Sequence, residues 1–157
     1  YKSGQSTITG SSANDDEFVF AFQDASRLTA GWSCDAGDDH IKYHFRYDSG
    51  DSNVIDSNTA WPNSSFEYWA LRSDNGPQQR IYKNGSALAT TTTDFSGQDR
   101  TLQLNSGFIE FTIGSGFGHG TSRQFNGEVA EIIIYKLSLT DEQFGNVNNY
   151  LSSKYAL

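Results

Sequence analysis

The stretch FNGEVAEIIIYKLSLTDEQFGNVNNYLSSKYAL, residues 125–157, decides the fold of this chain. Six of the seven residues at 129–135 are apolar, and Ile132, Ile133 and Ile134 are consecutive β-branched residues. A run of this length is too short for an independent helix and is typical of a strand covered on both faces. We therefore predict a long buried strand that closes a sheet.

A capped amphipathic helix is predicted directly after this strand. Thr140 and Gln143 have the spacing of a capping box, and Leu139 and Phe144 have that of a hydrophobic staple. The apolar residues that recur at spacings of three and four are Phe144, Val147, Leu151 and Tyr155. We expect a helix over residues 140–154 that packs against one edge or end of a sheet.

The succession GEVAEIIIY, SLTDEQ and YLSSKYAL resembles the C-terminal signature of laminin G-like domains in the concanavalin A-like lectin/glucanase superfamily. Two shorter pieces, RIYKNG at 80–85 and FTIG at 111–114, resemble a strand-to-turn element and a strand end of the same family. The resemblance covers the chain from about residue 18 onward. It implies an all-β fold, a jelly-roll antiparallel β-sandwich with one C-terminal α-helix, and says little about a ligand.

Strict alternation marks residues 40–48 as a half-buried strand. The side facing the core is predicted to carry Ile41, Tyr43, Phe45 and Tyr47, and the outer side His40, Lys42, His44 and Arg46. Further strands are predicted at 17–23, 28–34, 66–72, 78–83, 87–93, 101–104 and 108–113. Residues 48–58 are interpreted as a turn-rich connection, and Asn84-Gly85 as a hairpin turn.

Composition and charge restrict the function. The 157 residues fit one domain, and a net charge of −8 with only 11 Lys and Arg argues against a nucleic-acid partner. No apolar run is long enough to insert into a membrane. Because the sequence contains no Met, we expect a module from a longer protein, for which the extracellular space or a virion surface is the expected location.

The outer row of residues 40–46 is the candidate binding surface. Lys42, His44 and Arg46 form a basic line in an otherwise acidic chain, which favours an acidic surface glycan or an acidic partner. The alternative is that these side chains pair with carboxylates on neighbouring strands. Trp61, in a polar loop beside Pro62, is the candidate platform for stacking a sugar.

Catalysis and cofactors are not expected. Glu128 and Glu131 are three positions apart, so a regular strand directs them to opposite faces, where they cannot flank one glycosidic bond. Cys34 is the only cysteine, which excludes an intrachain disulfide. Acidic loops at 14–16, 35–39, 48–56 and 94–99 leave calcium open as a ligand, but none has a defined ligand spacing.

Three classes of function remain at this point. The preferred one is a non-catalytic, carbohydrate-directed binding or adhesion module of a phage virion or a secreted bacterial protein. The alternative is a structural decoration domain that contacts other subunits of a larger assembly. A polysaccharide-active enzyme is the least favoured because the expected carboxylate pair is missing.

Overall fold

The computed structural model of the chain describes residues 2–3, 17–24, 28–34, 40–46, 52–60, 65–73, 79–89, 91–92, 108–115, 124–125 and 127–157. Within these ranges the chain forms eleven strands and one helix. In chain order they are β1 (Lys2–Ser3), β2 (Glu17–Asp24), β3 (Leu28–Cys34), β4 (His40–Arg46), β5 (Ser52–Ala60), β6 (Trp69–Ser73), β7 (Gln79–Lys83), β8 (Ser86–Ala87), β9 (Thr91–Thr92), β10 (Phe108–Ile113), β11 (Gly127–Glu128) and α1 (Asp141–Tyr155).

Two antiparallel sheets form the body of the protein. The larger has six strands in the order β10-β2-β3-β4-β5-β9, and the smaller has three in the order β6-β7-β8. A separate two-stranded ribbon pairs β1 with β11. This arrangement, with one C-terminal helix, confirms the predicted all-β sandwich.

The hydrophobic core lies between the two sheets. The six-stranded sheet contributes buried side chains that include Trp32, Ile41, Tyr43 and Ile55, and the three-stranded sheet contributes Ile81. Ile41, Ile55 and Ile81 are fully buried. Burial of this kind stabilises each aliphatic side chain by about 1.5–3 kcal/mol relative to exposure, so the strands are held mainly by their inward faces.

The alternation predicted for β4 is confirmed where side chains are described. Ile41 and Tyr43 are in the core, whereas His40, Lys42 and His44 are half-buried on the opposite face. Burial raises the pKa of the Tyr43 hydroxyl, which therefore stays protonated. The side chains of Phe45 and Arg46, and Tyr47 altogether, lie outside the described residues.

The connection predicted at residues 48–58 is wrong, because this segment contains β5. Its Ser, Asn and Asp residues have low strand propensity, but β5 pairs along β4 on one side and with β9 on the other. Ile55 is consequently fully buried. Tertiary pairing here overrides local preference.

The buried closing strand predicted at residues 129–135 is also wrong. The strand at this point ends at Glu128, and Ile133, Ile134 and Tyr135 are 39–53% exposed. A strand with two covered faces needs a layer on each side. Here α1 lies along one side of the segment, through Tyr150, Lys154 and Tyr155, which all contact Glu131.

Helix α1 confirms the sequence-based prediction of its ends. The Thr140 hydroxyl accepts a hydrogen bond from the Gln143 amide at 3.2 Å, and the Gln143 side chain accepts one from the Thr140 amide at 2.9 Å. Both halves of the capping box are therefore present. The helix ends at Tyr155, and its C-cap residue Ala156 adopts a left-handed conformation with φ 54°.

The position of α1 differs from the expected edge or end of the sandwich, since it lies across β6 and β7. Phe144 packs on the Tyr82 ring with 4.6 Å between ring centroids, and Asp141 pairs with Arg72. Ser152 hydrogen-bonds the Tyr68 hydroxyl. The small sheet thus faces the core on one side and the helix on the other.

The hairpin turn predicted at Asn84-Gly85 is confirmed. Both residues have positive φ, 46° and 80°, as a type I′ turn requires. The Asn84 side chain accepts a hydrogen bond from the Tyr68 amide at 3.0 Å, which fixes the turn to the chain that enters β6. The strand predicted at 101–104 lies outside the described residues.

Loss of the Thr140 cap provides a test of the helix terminus. We expect Thr140→Ala to lower the free energy of unfolding by about 1 kcal/mol, because the Gln143 amide loses its acceptor. Urea denaturation followed by circular dichroism measures this change. Ser153→Ala, an exposed position in the same helix, is the control and should change stability by less than about 0.5 kcal/mol; equal effects would contradict the capping role.

Candidate ligand-binding surfaces

The first candidate surface is the face of β4 and β5 that points away from the core. His40 donates a hydrogen bond from Nδ1 to Asp56 Oδ1 at 3.0 Å, and the Lys42 ammonium lies 3.8 Å from Asp56 Oδ2. The His40 and Asp56 side chains are 29% and 22% exposed, and that of Lys42 is 13% exposed. Two donors and a carboxylate therefore meet at a partly accessible point.

A bulge in β5 positions this carboxylate. Between the pairs His40–Ala60 and Lys42–Asp56, β4 has one residue and β5 has three. Asn58 has a positive φ of 50° and donates its amide to Asp56 Oδ1 at 2.7 Å. Ser57 and Thr59 bond each other through side chains and backbone. Bulges of this kind redirect side chains near functional sites.

His44 belongs to the same face but makes contacts within the sheet. Its Nε2 is 2.6 Å from the Ser33 hydroxyl, and its ring lies 5.4 Å from that of Phe18. Ser33 and Phe18 are buried, so this pair has no access for a substrate. The structure therefore brings Lys42 together with His40, which was predicted on the same face, and with Asp56 of β5, which was not predicted. For Lys42 this is the pairing with a carboxylate of a neighbouring strand that was stated as the alternative to ligand binding. Trp61 and the Arg46 side chain lie outside the described residues, and the binding role of the four predicted residues stays a prediction.

The second candidate surface, which the sequence did not reveal, lies between α1 and residues 131–135. Glu131 accepts hydrogen bonds from Tyr150, Lys154 and Tyr155 at 3.1, 3.1 and 3.0 Å. Lys154 also donates to the Tyr150 hydroxyl at 2.7 Å. We call these four residues the Glu131 cluster. The spacing of Tyr150, Lys154 and Tyr155 within two turns of the helix is the sequence signal that could have indicated this cluster.

The charges of the Glu131 cluster stabilise each other. Partial desolvation raises the pKa of Glu131, but hydrogen bonds from Lys154, Tyr155 and Tyr150 outweigh it and leave the pKa below its usual value. Hydrogen bonds to Tyr150 and then Glu131 raise the pKa of Lys154. The pair is therefore fully ionised at neutral pH, and its two charges cancel locally.

A shallow groove of about 440 Å³ adjoins this cluster. It is lined by Glu131, Ile133, Tyr135, Asn146, Val147 and Tyr150. The segment contributes alternate residues to the groove, as an extended chain does, and the helix contributes one face. The groove thus combines aromatic, aliphatic, amide and carboxylate groups.

Metal ligation has no support within the described ranges, where no three His, Cys, Asp or Glu side chains converge. The acidic loops considered for calcium lie outside those ranges, except for the β5 portion that ends in Asp56. Of the two carboxylates considered for glycoside cleavage, Glu128 is exposed on β11, and Glu131 is held by the cluster. Also within the described ranges, α1 is neither long nor apolar enough to cross a membrane.

Comparison with protein families identifies the fold family. A laminin G-type family model of the concanavalin A-like lectin/glucanases superfamily matches residues 3–144. The chain belongs to this superfamily. Neither a curated protein nor a solved structure matches the chain significantly.

Membership of the concanavalin A-like superfamily confirms the resemblance seen in the C-terminal signature and indicates a binding module. The superfamily also includes glucanases, so the family alone does not decide between binding and hydrolysis.

Proposed function

We propose that this concanavalin A-like domain is a non-catalytic binding module directed at carbohydrate. The observation that supports the proposal is the partly accessible cluster of His40, Lys42 and Asp56 on the face of the six-stranded sheet that points away from the core. Adjacent donors and an acceptor are what vicinal sugar hydroxyls require. The β5 bulge, through the Asn58 amide, fixes Asp56 before a ligand arrives, which lowers the entropic cost of binding.

The preferred ligand of this face is an acidic surface glycan. Lys42, His44 and Arg46 follow one strand at intervals of about 7 Å, a spacing comparable to repeated charges on a polysaccharide. Because His44 is bonded to the buried Ser33, Lys42 and Arg46 are the residues proposed to contact the glycan. Each exposed ionic contact contributes at most about 1 kcal/mol. The affinity of a single domain is therefore low and falls as the salt concentration rises. Display of many copies on a virion or a secreted assembly would compensate for this low affinity by multivalent binding. Trp61 is the proposed stacking residue.

Binding to an immobilised panel of acidic polysaccharides at low and high salt tests this proposal. We expect Lys42→Ala/Arg46→Ala to weaken binding at low salt at least about tenfold, the effect of losing roughly 1.4 kcal/mol. The matched control is Arg80→Ala/Lys136→Ala, which removes the same charge from other exposed positions. Equal loss in both variants would indicate a general charge effect and reject the site.

A structural decoration role is the second candidate function. It is favoured by exposed apolar side chains that follow β11, namely Ile133, Ile134, Tyr135 and Leu137, since contiguous apolar surface marks protein contacts. Sedimentation velocity over a concentration series distinguishes the roles, because a decoration domain should self-associate or bind its assembly without any glycan.

A further inference from the structure

The groove beside α1 has the composition of a sugar-binding site, independent of the face on β4. Tyr135 and Tyr150 line it, and they are 51% and 45% exposed. A tyrosine presents a rigid apolar ring with a polar hydroxyl at one end. Exposed rings of this kind contact the C–H face of a pyranose, which is apolar, while leaving its hydroxyl edge available.

Polar groups for that hydroxyl edge are also present. The Asn146 amide, exposed on α1, offers one acceptor and two donors. Among the described residues, Glu131 Oε2 accepts from Lys154 and Tyr155 at 3.1 and 3.0 Å and from Tyr150 at 3.4 Å, whereas Oε1 accepts from Tyr150 at 3.1 Å. Since a carboxylate oxygen accepts about two hydrogen bonds, Oε1 retains the capacity to accept one more.

The Glu131 cluster makes this acceptor rigid. Three side chains from two turns of α1 hold one carboxylate, so little conformational entropy remains to be lost when a ligand binds. The arrangement also aligns Tyr150, whose hydroxyl donates to Glu131 and accepts from Lys154.

Charge decides which saccharide fits. Lys154 cancels the charge of Glu131 at 3.1 Å, and the other five lining residues are uncharged. The chain has a net charge of −8, so an anionic ligand is repelled by the protein as a whole. The groove has no excess positive charge that would compensate for this repulsion. The groove therefore discriminates against acidic sugars and phosphates.

We propose that this groove binds a neutral saccharide of mono- or disaccharide size, stacked on Tyr150 and Tyr135 and hydrogen-bonded to Asn146 and Glu131. The proposal rests on the carbohydrate-directed function above, but it assigns a second site with a different ligand. Its volume lies within the range of small-molecule sites, and its shallow form limits the affinity to the order of 1 mM.

Saturation-transfer NMR with cellobiose, maltose, lactose and N,N′-diacetylchitobiose tests the proposal, with dissociation constants from titration of ¹⁵N-labelled protein. We expect at least one disaccharide to bind and to shift the amide signals of residues 131–135 and 146–150. Tyr150→Ala and Asn146→Ala should each weaken binding at least about tenfold. Asn146→Ala is the safer variant for folding, since it is exposed and alanine favours helix.

Two controls separate stacking in the groove from other effects. Phe111→Ala removes an aromatic of similar exposure, 40%, from β10 and should leave binding unchanged. Tyr150→Phe keeps the ring but loses the hydroxyl, and it should bind more tightly than Tyr150→Ala. Because the ligand is neutral, binding should be insensitive to salt.

The outcomes distinguish this site from the proposed face on β4. Binding that survives Tyr150→Ala and Asn146→Ala, or that Lys42→Ala/Arg46→Ala abolishes, overturns the groove and leaves the β4 face standing. If none of the four neutral disaccharides binds but acidic polysaccharides still do, the groove is likewise overturned and the β4 face stands. If no saccharide of either kind binds, both proposals fail, and the groove then belongs to the protein-contact surface.

Discussion

Gly31→Ala is expected to destabilise the protein by about 3 kcal/mol, through overpacking in the middle of the six-stranded sheet. A Cβ at this position would lie 2.7 Å from the Phe20 carbonyl oxygen and about 3 Å from the Phe18 ring. The oxygen is backbone of the adjacent strand, so it cannot retreat without disturbing the pairing of β2 with β3. Urea denaturation followed by fluorescence measures the loss.

The control for this substitution is the same change at Gly145. In the part of the chain that the structure describes, no atom beyond its own helix backbone and chain neighbours would lie within 4 Å of a Cβ at Gly145, and the residue is within α1. Alanine is the better helix former, so Gly145→Ala should stabilise the protein by about 0.5–1 kcal/mol. Opposite signs for one chemical change would establish that Gly31 is required for close packing, whereas a tolerated Gly31→Ala would contradict the β2–β3 geometry.

Ile81→Ala should cost about 3–4 kcal/mol, because it opens a cavity where the two sheets meet. Ile81 is fully buried and is the contribution of the three-stranded sheet to the buried core cluster. Its loss therefore weakens the contact between the sheets rather than one strand. Thermal and urea denaturation both report the change in stability.

Ile113→Ala is the matched control, since Ile113 is 59% exposed on β10. An exposed position of this kind is expected to change stability by less than about 0.5 kcal/mol. If the two variants were equally stable, the sandwich would not be joined through Ile81.

The elements whose structure is determined by residues close together in the sequence were predictable. The capping box of α1 uses residues within one turn, and the alternation of β4 needs only the strand itself; both are confirmed. β5 was missed because its polar residues favour turns, and only its neighbours β4 and β9 make it a strand. Local sequence does not contain that information.

In the candidate sites, too, the features set by local sequence were predictable and those set by contacts between distant residues were not. Alternation placed Lys42 and His44 on the face away from the core, but their partners Asp56 and Ser33 depend on strand register. The groove beside α1 was missed because it joins Glu131 to residues 19–24 positions later. Tyr155 was assigned to an apolar stripe, although its hydroxyl belongs to a polar cluster.

The order of strands in the large sheet has a consequence for synthesis of the chain. β2 pairs with β10, and the Thr112 hydroxyl reaches the Ala21 carbonyl across 91 positions of sequence. While the ribosome synthesises the residues between β2 and β10, the edge of β2 that pairs with β10 is unpaired. Phe20 and Phe22 of β2 also lack their ring contacts with Phe111 of β10 during this time. Pairings this distant form slowly, and unpaired apolar edges promote aggregation. We therefore expect the nascent chain to need protection until β10 has left the ribosome.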